Sequence, residues 1–176
     1  KIKEKKARES RKAMELKKQD STIITSTHTY ESTVVCCKVS CVWKFFKEFA
    51  FAKLLPAEFE KTEFVEGSPN TVGSVVKFHF KDKSTWTIKV LEISDFHHSV
   101  TWEVIDSDPA VKASSIMSTI KMFRVTDANH TFIQWHTDFS NDADAFVIQD
   151  NKYKKLERFT AIKKFFENCC KEGKCC

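Results

Sequence analysis

Glycine is almost absent from this chain. There are three, and two of them, Gly67 and Gly73, stand six residues apart in "EGSPNTVGSVVKFHF". Proline is as scarce, also with three. Turn chemistry is therefore concentrated at one point, where a Pro-Asn pair lies between the two glycines ahead of an alternating apolar stretch. Long apolar runs are missing too. None approaches the roughly 18 residues that a membrane-spanning helix needs, and the basic N-terminus lacks the apolar segment of a secretory signal. Cysteine is present, but its seven residues are an odd number, grouped as Cys36, Cys37, Cys41 and Cys169, Cys170, Cys175, Cys176. A domain of this size does not need disulfide staples, so reduced thiols and a cytoplasmic location are expected.

Catalytic and metal-binding constellations are equally thin. No His/Cys/Asp group has ligand spacing within one element, and the adjacent His97 and His98 point to opposite sides. The tail "NCCKEGKCC" offers four thiols, yet adjacent cysteine pairs are unlike zinc-finger spacing. No metal and no cofactor is expected. No Ser carries the motif of a Ser-His-Asp set. His136 and Asp138 stand two apart on one strand face, which can shift a His pKa, but they read as a solvated surface pair. His79 alternates with lysines and reads as exposed. No residue is assigned as catalytic, and the reading leans away from an enzyme.

What is abundant is aromatic and charged. The chain has 176 residues with sixteen Phe and four Trp, enough for one sizeable core. Residues 1–20 hold nine Lys/Arg against four acids, which accounts for the whole net charge of +5. Any attraction to an acidic partner therefore belongs to this arm, with Lys5, Lys6, Arg8, Arg11 and Lys12 as its candidate contacts. An acidic protein surface or an anionic membrane surface fits the charge; nucleic acid does not, since no aromatic is interleaved for stacking. The arm, residues 1–21, reads as a thin, solvated helix.

The domain proper runs over residues 22–168. Ile23–Cys37 has β-branched strand chemistry. Val39, Val42, Trp43, Phe46, Phe49 and Ala50 then recur at helical steps, ending at Pro56 as two short helices broken near Phe51. From Glu60 the period falls to two, over Glu60–Glu66, the strands around Phe78, Trp86 and Trp102, then Ser114–Val125 and His130–Phe139. Polar hairpin linkers separate most of them. The period returns to about 3.6 over Asp142–Asn168, with Phe146, Tyr153, Leu156, Phe159, Ile162 and Phe166 in step and Asn141 or Asp142 as N-cap. Strand, helices, meander, long helix is an α+β order, with a curling antiparallel sheet and the long helix across its concave side. Residues 169–176 form a Cys-rich tail. Cys175 and Cys176 are candidate lipidation sites, resembling the terminal Cys-Cys prenylation signal of Rab-type small GTPases in those two residues.

The segments "VWKFFKEF", "PNTVGSVVKFHFKD", "VLEIS", "TFIQWHTDFS" and the closing helix, in this order, resemble the START-like/Bet v 1-like helix-grip superfamily (SRPBCC). Within it they are most similar to the polyketide cyclase/dehydrase-like branch, and the resemblance covers about Tyr30–Phe166. It implies a curved sheet of about seven strands around a long C-terminal helix and an apolar cavity. Gly67 and Gly73 then flank the turn between the second and third strands as fold determinants. No Lys-Ser/Thr pair follows them, which argues against phosphate cradling. Hormone-receptor signatures are missing as well: the turn Lys81-Asp82-Lys83-Ser84 has no Ser-Gly-Leu-Pro-Ala gate, and "SDPAVKASS" has no His-Arg-Leu latch.

Phe78, Phe80, Trp86, Trp102, Trp135 and Phe139, with Phe146 and Tyr153 from the helix, are the candidate cavity lining. The function expected is a non-catalytic binding module for an apolar small molecule or lipid. The alternative is a filled core serving as a scaffold or interaction subunit through the basic arm. A cyclase/aromatase-like enzyme is the third reading. Location peripheral to a membrane or a cytoskeletal assembly is compatible with the arm.

Overall fold

A computed structural model of the chain describes residues 27–172. The basic arm and Cys175 and Cys176 lie outside the described residues. The elements are β1 (His28–Val35), α1 (Val39–Lys47), α2 (Phe51–Leu54), β2 (Phe59–Glu66), β3 (Val75–Phe80), β4 (Thr85–Ser94), β5 (Ser99–Asp108), β6 (Ile116–Val125), β7 (His130–Phe139) and α3 (Ala145–Lys171). The seven strands form one antiparallel sheet in the order β1-β7-β6-β5-β4-β3-β2. Six consecutive strands make the meander, and β1 joins it beside the last. This is the α+β helix-grip architecture expected from the sequence.

The period-two pattern translates directly into faces. Along β7 buried and half-buried residues alternate without a break, with Ile133, Trp135, Thr137 and Phe139 inward. In α1 the stripe Cys41, Val42, Trp43 and Phe46 is buried against the sheet. α2 lasts one turn, because Leu55 precedes Pro56 and a residue before proline is driven out of the helical region.

The long helix differs from expectation at its start. Asp144, rather than Asn141 or Asp142, is the N-cap, accepting from the Phe146 N–H at 2.9 Å. Asp142 is engaged elsewhere, taking the Ser114 N–H at 3.2 Å and the Ser114 hydroxyl. These bonds, with one from Ser140, hold its carboxyl down at about 2. The helix extends to Lys171, so Cys169 and Cys170 stand in its last turn.

The glycine pair has a backbone account. Gly67 and Gly73 have φ of 75° and 87°. A Cβ on Gly67 would lie 2.3 Å from Ser74 Oγ. That hydroxyl closes the turn, donating to the Ser68 carbonyl at 2.9 Å and accepting from the Ser68 N–H at 3.1 Å. Gly73 has open space around its Cβ position, so only its φ is demanding. Gly73→Ala is expected to cost about 1 kcal/mol. Gly67→Ala should cost about 2 kcal/mol or more, because it also displaces Ser74. Urea unfolding of the two variants checks the order; equal losses would refute it.

Candidate functional site

Aromatic rings fill most of the space between sheet and long helix. Phe51 occupies its centre. Its ring is stacked on Phe59 (5.6 Å, 24°) and Trp135 (6.1 Å, 20°) and meets Phe78 edge-on at 5.5 Å. Trp102 packs on Trp135 at 5.9 Å and on Phe49 at 5.7 Å. What remains is a cavity of about 20 Å³, bordered by the rings of Phe51, Phe59, Phe78, Trp102 and Trp135 together with Ser118, Asn151 and Arg158. That volume suits one water-sized group.

A second space lies outside it. An open cleft of about 1110 Å³ runs along α3 from its N-cap to Ala161, facing the Leu55–Glu58 segment, the Lys81–Ser84 turn and the Asp108–Lys112 loop. Phe80, Trp86, Asn151 and Arg158 border both spaces, so they form the wall between them. Arg158 is the rigid part of that wall. Its Nε donates to both Glu58 carboxylate oxygens, at 3.1 and 2.9 Å, and its Nη2 also donates to Glu58. The guanidinium lies 5.5 Å from the Trp135 ring and 5.7 Å from the Phe59 ring.

The sequence-based candidates divide accordingly. Phe78, Trp102 and Trp135 are buried around the small cavity. Phe80 and Trp86 stand at the wall, reaching the cleft. Phe139 is buried elsewhere, in a satellite cluster with Ile116 and Ile148. Phe146 is 75% exposed at the cleft's rim, and Tyr153 is 64% exposed and borders neither space. Neither of these two helix residues faces the interior, because the helix turns a different stripe inward: Ile148, Lys155, Phe159, Ile162 and Phe166. Phe51, Phe59, Asn151 and Arg158 were not picked out from the sequence. The break near Phe51 was the available signal, since a bulky residue opening a one-turn helix had to be placed somewhere.

Lys155 is the least expected member of that stripe. It is 0% exposed, and its Nζ donates to Thr29 Oγ1 at 2.7 Å and to the Trp135 carbonyl at 3.4 Å. Thr29 in turn donates to Asn151 Oδ1 at 3.2 Å. Burial, then the charge of Arg158, pull the amine down to about 7, with Glu31 and Asp138 opposing. Lys155 borders neither the cavity nor the cleft. The Trp135 Nε1 is buried with no hydrogen-bond partner among the described residues. On the outer face His136 and Asp138 pair at 3.2 Å, with the His28 and Tyr30 rings beside them. His79 is half-buried rather than exposed, 3.4 Å from Glu63.

The cysteines also meet. Cys36 and Cys37, between β1 and α1, converge with Cys170 in the last turn of α3. Cys170 Sγ lies 3.2 Å from Cys36 Sγ and 3.2 Å from Cys37 Sγ, and donates to the Cys36 carbonyl at 2.7 Å. Burial and the Cys36 thiol push Cys170 up to about 11. Cys37 is disulfide-bonded, whereas the sequence led us to expect reduced thiols; Cys36, Cys41, Cys169 and Cys170 carry thiols. No cysteine separation in the sequence announces a seam made by residues 134 apart.

Solved structures share this fold. XoxI of Bacillus cereus superposes with a TM-score of 0.68 at 18% identity, over 80% of this chain and 96% of that one. Ara h 8.0201 gives 0.65 at 19%, over 80% and 97%. Ginseng major latex-like protein 151 of Panax ginseng gives 0.63 at 17%, over 80% and 95%. The chain thus has the Bet v 1-like helix-grip fold. No protein-family model and no curated protein matches the sequence.

The buried amine has a consequence for stability. An unfolded lysine titrates near 10.4 and the folded one at about 7, so between these values the unfolded chain binds more protons. Folding stability carried by Lys155 therefore rises from pH 7 to pH 10 and is lost on returning to pH 7. Lys155→Met is expected to remove about 2–4 kcal/mol of that rise. Urea unfolding of both proteins across this range checks it; a difference that does not change with pH would contradict it.

Proposed function

We propose that the chain is a non-catalytic binding module that holds an apolar small molecule or lipid in the open cleft along α3. The observation that carries this reading is the cleft itself, about 1110 Å³ and walled by Phe80, Trp86, Val111, Phe146 and Val147 beside the Arg158–Glu58 pair. Apolar walls with a few convergent polar groups are what small-molecule sites require. The interior supports no ligand body, because Phe51 and its neighbours leave it about 20 Å³. The unpartnered Trp135 Nε1 beside that space fits a single acceptor atom. The resemblance to the polyketide cyclase branch agrees with a ligand-holding role and brings no activity with it.

A second reading, a scaffold domain acting through its surface and basic arm, is favoured by the same aromatic filling. Native mass spectrometry of protein from its own cells separates the two. A released apolar molecule supports the cleft, while a bare polypeptide held by a partner through residues 1–20 supports the scaffold.

The cleft can also be tested at its rim. Phe146 is mostly exposed, so Phe146→Gln should leave the fold intact. Binding of the neutral probe Nile red should weaken about fivefold, as loss of roughly 1 kcal/mol of apolar contact implies. Phe96→Gln, at the exposed β4–β5 turn, is the control and should change nothing. Equal binding by both variants and the parent would remove the cleft as the site.

A further inference from the structure

We propose that Cys36 and Cys170 form a redox-modification site, closing to a disulfide by exchange with a small-molecule disulfide of the glutathione type. The inference is independent of what the cleft binds. Three observations carry it. Their sulfurs are 3.2 Å apart although the residues are 134 apart in sequence. Both residues are half-buried, so a small oxidant can reach the seam, whereas Cys37 is 2% exposed and already disulfide-bonded. Both sides of the seam are also held independently of the thiols. Thr131 Oγ1 donates to the Cys37 carbonyl at 2.7 Å, fixing the β1–α1 turn. Phe165 and Phe166 pack edge-on against Phe45 at 5.4 and 5.6 Å, fixing the end of α3. Thiols brought together by packing lose little further freedom on joining.

The chemistry balances without any group from the protein beyond these two. Cys36, as thiolate, attacks one sulfur of the oxidised glutathione; that S–S bond breaks and the first glutathione leaves as thiolate, taking the proton Cys36 gave up. Cys170 Sγ then attacks Cys36 Sγ in the mixed disulfide, and the second glutathione leaves with the proton from Cys170. One disulfide is reduced to two thiols and one is formed in the protein. Cys36 makes the first attack because the raised Cys170 thiol supplies little thiolate. The product ties the end of the long helix to the start of the α1 segment.

The test uses the full chain as purified, without prior reduction. It is equilibrated in glutathione buffers of increasing oxidised fraction, alkylated, and mapped by peptide mass spectrometry. The expected result is a Cys36–Cys170 cross-link and an apparent melting temperature about 10 °C above that of Cys36→Ser in the same buffer. Cys37→Ala should retain the cross-link, and Cys170→Ser should abolish it; because mapping reads connectivity, a loss of stability in any variant does not obscure the outcome. Alkylatable Cys36 and Cys170 across the whole range would overturn the proposal. So would a cross-link joining Cys170 to Cys37 while Cys36 stays reactive.

Discussion

Phe51 stands where a curved sheet and a helix laid across it would otherwise leave a hollow. A single turn of helix delivers it there, and Phe59, Phe78, Trp102 and Trp135 close around it. Each ring contributes by burial and by edge or offset contacts with the next, so the set behaves as one packed unit. Once that unit is in place, the volume left inside is too small for anything larger than a water-sized group. The larger space lies at the mouth of the grip, and the wall formed by Arg158, Phe80 and Trp86 is its boundary with the interior.

The boundary is electrostatic as well as steric. Arg158 lies over two aromatic faces and is held by both oxygens of Glu58, so its charge is satisfied before any ligand arrives. A bidentate pair of this kind is costly to break from one side, because the remaining charge would stay half-buried. The cleft therefore presents its apolar surface and rim charges to a ligand without an uncommitted cation at its base. Lys155 lies behind, three residues earlier on the same helix and cut off from both spaces. Burial lowers its amine, the neighbouring charge of Arg158 adds to that, and the Thr29–Asn151 link carries its hydrogen bonding back toward the wall.

The sheet was legible in the sequence because alternation is a local property: β3, β6 and β7 announce their own inward faces, and β7 does so over ten residues. The long helix was legible in extent and, through the buried Phe159, Ile162 and Phe166, in the phase of its C-terminal half, but not in the phase of its N-terminal half. Phe146 and Tyr153 share a seven-residue step and look like a core stripe, yet they lie two positions, about 200°, from Ile148 and Lys155, which are buried. The true stripe was disguised by the lysine within it, since a charged residue is seldom assigned to a core. The N-cap failed for a different reason. Asn141, Asp142 and Asp144 can all cap a helix, and the choice among them was made by Ser114, which removes Asp142 from competition. Arg158 and Glu58 are a hundred residues apart, and nothing local marks them as partners.

The two halves of α3 are consequently unlike. From Lys155 to Cys170 the helix is fixed by a buried amine, a bidentate ion pair, three buried core residues and the thiol seam. From Ala145 to Lys154 it buries only Ile148 and borders open cleft, with Phe146 projecting from the rim. Local opening follows the density of buried contacts, so the N-terminal half is the part that yields first. The cleft borders this looser half and reaches Glu157, Arg158 and Ala161 of the firmer half, which keeps the interior shut. The division lets one continuous helix close a filled core and border an open cleft.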